Sequence, residues 1–132
     1  MARNLGLTSV TFAGFVSDVS AIWSSHHGLI LPSRCEGLPI VLVEAMLSGR
    51  VPVVTDVGGN AEVVEDGVTG YLAAAATEDS LDDAMERAWN ERHRWREIGA
   101  AAAAPISRHL WRSFHARSIA LSSASSVGAA AT

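Results

Sequence analysis

A parallel α/β sheet with flanking helices is the fold class this sequence predicts, and three observations carry the prediction. Gly28–Pro32 and Val51–Thr55 are short apolar runs without polar alternation, the pattern of strands covered by helices on both faces. The apolar segment opened by Pro39 is too long for a strand and lies between them. From Ser80 onward, Leu81, Ala84, Met85, Ala88, Trp89, Trp95 and Ile98 mark an amphipathic helix. Strands alternating with helices at this spacing form parallel sheets, whose ligands bind outside the carboxyl ends of the strands.

In chain order, Val10-Thr11-Phe12-Ala13 reads as a short strand stopped by Gly14. Ser17 is the expected N-cap of a helix from about Asp18 to Ser25. The Gly28–Pro32 strand leads into a polar loop, and Pro39 stands where a helix can start, because the N–H that proline lacks would be unpaired there. Gly49 is placed as a left-handed cap after that helix. The Val51–Thr55 strand runs into a glycine loop, Asp56 to Asn60, with a short helix expected over Ala61–Glu65 and a strand over Tyr71–Ala73. The amphipathic helix is expected to end near Gly99. Its acidic residues Asp82, Asp83 and Glu86 come early and Arg92, Arg94 and Arg96 late, as the helix dipole favours. Pro105 separates a second helix, with Ile106, Leu110, Phe114, Arg117 and Leu121 on one face.

A chain of 132 residues with 48% hydrophobic content suits one domain, taken as residues 1–121. Residues 122–132, nearly devoid of large apolar side chains, read as a disordered tail. The formal charge of −4 argues against nucleic acid, whose phosphates demand clustered Lys and Arg. A lone Cys35 cannot form an internal disulfide and fits a reducing, cytoplasmic compartment. No signal peptide or bilayer-spanning segment is evident.

The stretch Ser33 to Met46 carries the chemistry. A helix opening at Pro39 presents unpaired backbone N–H groups and the positive end of its dipole, which suits a phosphate. Gly37 permits close backbone approach, and Leu38 and Ile40 still carry N–H groups. Glu36 in the loop would be repelled by a neighbouring phosphate unless aimed at hydroxyls, so a sugar is its natural partner. Glu44 can accept bonds from a vicinal diol such as a ribose. Were both glutamates on one helix, they would stand roughly 12 Å apart along the axis and about 80° around it. Retaining glycosidases need carboxyl groups about 5.5 Å apart, so a hydrolase dyad is excluded in favour of two contacts on one long ligand.

These residues, Pro32-Ser33 with Glu36-Gly37-Leu38-Pro39-Ile40-Val41-Leu42-Val43-Glu44-Ala45-Met46, resemble the signature of family 4 glycosyltransferases. Gly58-Gly59-Asn60-Ala61-Glu62 and Asp66-Gly67-Val68-Thr69-Gly70 extend the resemblance, which runs from about Val10 to Gly99. It implies an incomplete Rossmann-like sheet, the C-terminal half of a GT-B fold, with a helical C-terminal segment. It further implies retaining transfer from a nucleotide-diphosphate sugar, with no metal or other cofactor. By resemblance Glu36 bonds the transferred sugar and is the catalytic candidate. Gly37, Leu38, Pro39 and Ile40 meet sugar and diphosphate, Glu44 holds the ribose, and Gly14, Phe15 and Val16 border the nucleobase. The family's basic pair, its acceptor-binding N-terminal domain and the first two strands of the donor domain fall upstream of this sequence, and Arg3 is no substitute. The expectation is therefore an N-terminal half supplied in trans and an acceptor that is a sugar, lipid or small molecule. The alternative is a non-catalytic nucleotide-sugar-binding module or inactive fragment. Without its central neighbours, the Val10–Ala13 strand must re-pair beside Gly28–Pro32, dangle, or await a partner.

Other residues are read more plainly. Glu36 as a mere helix cap and Glu44 as a solvated helix residue are the lesser alternatives, whereas turn and substrate loop are evenly weighed for Gly58 and Gly59. Glu62 is assigned to the surface. Adjacent His26 and His27 project differently and lack a third ligand, so loop positions are preferred to a metal site. His93, His109 and His115 are assigned to solvent. No base stands beside Cys35 to activate it. Trp23, Trp89, Trp95 and Trp111 are assigned to helix faces packed on the sheet. A membrane-touching face of Arg108, Arg112, Arg117, Trp111 and Phe114 is the lesser reading.

Overall fold

The computed structural model describes Gly6, residues 8–104 and Ile106. The order of elements is α1 (Val19–Ser25), β1 (Gly28–Leu31), α2 (Ile40–Leu47), β2 (Val51–Thr55), α3 (Asn60–Val63), β3 (Tyr71–Ala73) and α4 (Glu78–Asn90). A 3-10 turn at Arg92–Arg94 then leads into α5 over 95–104. The sheet has the order β1-β2-β3 and both pairings are parallel, with Gly28 opposite Val51 and Val53 opposite Tyr71.

Each face of this sheet has its own core. Val51, Val53, Tyr71 and Ala73 pack under Ala84, Ala88 and Ile98. Val54 on the other face packs with Leu42, Met46, Val64, Ala102 and Ile106. Leu42, Ala45 and Met46 form the single buried stripe of α2, and each large side chain so buried contributes about 1.5–3 kcal/mol. Helix α5 serves both cores, with Ile98 in one and Ala102 in the other. It passes beside Gly49, at the end of the sheet where β2 begins and away from the loops that follow the strands.

Local chemistry explains the element ends. After α2, Gly49 adopts φ +68°; its N–H donates to the Met46 carbonyl (3.0 Å) and that of Arg50 to Ala45 (2.9 Å). This is the paired closure expected of a left-handed glycine cap. At the start of α2, Pro39 is the N-cap in an extended conformation and Ile40 is the first helical residue, one position later than expected. Asp18, not Ser17, caps α1, its carboxylate accepting from the Ala21 N–H at 3.2 Å. Helix α3 begins one residue early and ends at Val63, because the Thr69 hydroxyl accepts the Glu65 N–H (2.8 Å) and turns the chain away.

Two larger expectations are corrected. Val10–Ala13 forms no strand, and Phe12 is 79% exposed. A strand exists only where a neighbour accepts its backbone bonds, and this segment dangles. The single helix expected from Ser80 to Gly99 is broken at Glu91. Glu91 accepts from the Tyr71 hydroxyl (3.1 Å) and from Arg94 (2.7 Å), and the Trp95 indole N–H takes the Ala88 carbonyl (2.8 Å). One of the orphan carbonyls ending α4 is thereby satisfied. Gly99 does not stop the chain, since the alanines at 100–104 continue α5 and Ile106 is helical too. The helical face expected from Leu110 to Leu121, its membrane-touching variant, Trp111, His109, His115 and the 122–132 tail lie outside the described residues. Among the described residues no helix is long and apolar enough to cross a membrane.

Candidate functional site

The β1 strand delivers Ser33 to the carboxyl end of the sheet, and the β2 strand delivers Thr55 beside it. Thr55, 2% exposed, donates its hydroxyl to the Ser33 carbonyl at 2.6 Å. The Ser33 hydroxyl donates to Glu36 Oε1 at 2.7 Å. Asn60, fully buried at the start of α3, donates its side-chain amide to the Thr55 carbonyl at 2.9 Å. The loop carrying Glu36 is thus tied to β2 by Thr55, and β2 in turn to α3 by Asn60.

A backbone contact completes the arrangement. The Gly59 N–H donates to the Gly37 carbonyl at 2.8 Å. At Gly58, φ is +55° and a Cβ would overlap the Glu36 carbonyl oxygen and stand 2.6 Å from its carbon. From sequence alone turn and substrate loop are equal readings of these glycines; the packing makes them the floor on which the Glu36–Gly37 loop rests. Gly37 is different, because a Cβ there would meet nothing within 4 Å. Its open side is available to a ligand.

Glu36 and Glu44 are both half-buried, and the Glu44 carboxylate forms no hydrogen bond or ion pair with another described residue. Leu38 and Ile40 point their side chains to solvent, Ile40 at 76% exposure, so the helix start is accessible. The Pro39 carbonyl takes the N–H groups of Leu42 (3.1 Å) and Val43 (3.4 Å), while those of Ile40 and Val41 go to no described partner. That leaves two donors and the positive dipole end of an eight-residue helix directed at the same place.

Gly14, Phe15 and Val16 lie in the extended segment before α1. Gly14 has φ +67°, Phe15 is 95% exposed, and no hydrogen bond joins the three to the Ser33–Glu44 stretch among the described residues. Glu62 is exposed, as expected. His26 places Nδ1 2.8 Å from the Ile22 carbonyl, and the His27 ring stands 6.5 Å from that of Trp95. Trp23 is buried, yet Trp89 is 60% exposed, contrary to the expected packing on the sheet, and no described helix covers it. A cavity of about 410 Å³ opens there, lined by Ile30, Met85, Trp89 and Trp95 among others. Glu36 does not line it. A second, of about 290 Å³, adjoins the site through Pro32, Arg34 and Thr55 and reaches the start of α4.

The roles of Thr55 and Asn60 were not foreseen. A signal existed in Thr55, the polar residue ending an otherwise apolar strand, and in Asn60 directly after two glycines.

The family model for glycosyl transferases group 1 matches residues 1–91. The chain belongs to the group 1 glycosyltransferases. Over 96 residues it is 40% identical to the Vi polysaccharide biosynthesis protein VipC/TviE of Salmonella typhi, covering 72% of this chain and 17% of that protein. It is 36% identical over 99 residues to alpha-D-kanosaminyltransferase of Streptomyces kanamyceticus, covering 74% and 25%. The chain therefore spans a quarter or less of these relatives. Among solved structures, Anabaena Alr3699/HepE in complex with UDP aligns with a TM-score of 0.73 and 29% identity, over 81% of this chain and 30% of that one. HepE has also been solved with UDP-glucose. Sucrose-phosphate synthase of Thermosynechococcus elongatus shares the fold, with a TM-score of 0.72 at 23% identity over 88% of this chain and 33% of that one. The group 1 chain has the α/β fold of a GT-B C-terminal domain.

Proposed function

We propose that this group 1 glycosyltransferase chain is the donor-binding part of a retaining, family 4-type enzyme, and that it holds a nucleotide-diphosphate sugar across the Ser33–Met46 stretch. The observation that supports this most is the meeting of two free amides at the start of α2, an uncluttered Gly37 and two partly buried glutamates. The diphosphate sits at the amides of Ile40 and Val41 near Gly37, Leu38 and Pro39. Glu36 accepts from the transferred sugar and Glu44 from the ribose. Gly14, Phe15 and Val16 border the base once their segment is ordered against it.

In the transfer, the bond from the anomeric carbon to the diphosphate oxygen breaks and a bond to the acceptor oxygen forms on the same face. The acceptor proton passes to the departing phosphate. Glu36 orients the sugar and stabilises developing positive charge, and the family resemblance assigns no metal to the step. The acceptor is a sugar, lipid or small molecule held by an N-terminal half that this sequence does not contain, joined in cis or supplied in trans. A cytoplasmic setting fits the single Cys35.

A binding module without turnover of its own is the second reading, favoured by the state of β1. That strand is uncharged, lacks proline, and among the described residues pairs on one side only, so its outer edge offers unpaired backbone groups. With the exposed Ile30 and Trp89 beside it, this edge is where further polypeptide would complete the domain.

Calorimetric titration with UDP-glucose and with GDP-sugars tests the proposal. One donor series should bind, and Glu44→Ala should weaken it by about tenfold, the worth of a hydrogen bond to a charged group. Equal silence of both proteins rejects donor binding. Transfer assays on the chain alone should give no product, and robust turnover would refute the need for a second half.

A further inference from the structure

Glu36 does not set its own orientation. Its Oε1 accepts from the Ser33 hydroxyl, and Oε2 has no partner among the described residues. Ser33 is fixed in turn, because its carbonyl accepts the hydroxyl of the buried Thr55. Thr55 is held through its own carbonyl, which takes the Val57 N–H (2.9 Å) and the Asn60 amide (2.9 Å). The chain of donors therefore runs without a gap from Asn60 through Thr55 and Ser33 to the carboxylate.

We infer that Ser33 is the positioning residue for Glu36, locking its carboxylate to the end of β2 so that Oε2 is the oxygen left wholly to the donor sugar. The Ser33 proton takes one of the two acceptor sites of Oε1, whereas both sites of Oε2 are open among the described residues. Glu36 thus meets the donor sugar chiefly through Oε2, in the one rotamer that Ser33 holds. Glu44, with neither oxygen engaged by a described residue, is the carboxylate free to bracket a diol. Preorganisation of this kind matters because a free carboxylate must lose rotamer freedom on binding. The inference rests on the donor-binding reading for its functional consequence, but the geometry it describes exists without ligand.

Two measurements separate the failures. In the ligand-free chain, NMR scalar couplings along the Glu36 side chain should report one rotamer, which Ser33→Ala and Thr55→Val convert to an average and Ser33→Thr and Thr55→Ser preserve. By calorimetry, Ser33→Ala should weaken UDP-glucose by about tenfold while leaving UDP, which lacks the sugar, within about twofold. A single Glu36 rotamer persisting in Ser33→Ala overturns the inference. So does equal weakening of UDP and UDP-glucose, the mark of a general structural defect. If the wild-type chain binds neither nucleotide, the donor-binding reading fails, and the couplings still decide whether Ser33 orients Glu36.

Discussion

Alanine at Gly58 and alanine at Gly37 should have opposite consequences, although the two glycines face the same loop. At Gly58 the backbone has φ +55° and the added Cβ would run into the Glu36 carbonyl. A side chain in the left-handed region costs about 1–2 kcal/mol, and forcing packed backbone aside costs about 1–3 kcal/mol more. Gly58→Ala should therefore lose about 2–5 kcal/mol. At about 4 °C per kcal/mol for a chain of 132 residues, the melting temperature should fall by roughly 10 °C or more. Gly37 has ordinary φ and open space at its Cβ position, so Gly37→Ala should keep stability within about 0.5 kcal/mol. Its methyl group would instead occupy the side on which the donor approaches, weakening UDP-glucose without unfolding. Urea denaturation with a constant m-value, followed by calorimetry, measures both quantities. A Gly58→Ala protein as stable as wild type, or a Gly37→Ala protein as damaged as Gly58→Ala, would refute the division of labour.

Three further outcomes are expected. Burial first, then the hydrogen bond to Glu91, pushes the Tyr71 hydroxyl up to about 12. Tyr71 is the only tyrosine, so absorbance at the tyrosinate band should titrate near that value when folded and near the ordinary 10.0 in urea. The stabilisation is complete below the unfolded value and fades as pH rises through the folded one, and an unshifted midpoint refutes the buried bond. For Asp66, burial works to raise the pKa, but the Arg87 hydrogen bond, the Leu72 N–H and the Arg87 charge outweigh it and hold the carboxyl below its usual range. Its contribution is present above the unfolded value of 3.8 and lost as pH falls through the folded one. With the two side chains 43% and 46% exposed, screening limits the effect to under about 1 kcal/mol. Arg87→Met should lower the urea midpoint at neutral pH by a small step that vanishes in acid; a difference that persists at low pH would assign the loss to the Arg87 bond with the Leu72 carbonyl. Trp95→Phe, which removes the indole N–H from the Ala88 carbonyl, should cost about 1 kcal/mol, read from the same denaturation curves, and an unchanged midpoint would mean the bond is idle.

Much of the fold was legible because its signals are local. The apolar runs at β1 and β2 and the glycine at 49 each act within a few residues of themselves. Pro39 was misplaced by one position because proline is compatible with both N-cap and first-turn dihedrals. The break at Glu91 was invisible in the periodicity, since it depends on Tyr71, twenty residues away. Val10–Ala13 has the composition of a strand, but composition cannot supply the neighbour a strand requires.

The sequence by itself determined that Glu36, Gly37 and Glu44 stand around the start of a buried helix at the carboxyl end of a parallel sheet. Proline, glycine and apolar spacing act through the backbone nearby, so this much follows from order along the chain. Only the tertiary structure decided what holds that loop in place. Thr55, Gly58 and Asn60 lie about twenty residues further on, and they reach Ser33 and Glu36 because adjacent parallel strands end side by side. Hydrogen bonds across that gap depend on register, and register belongs to the sheet.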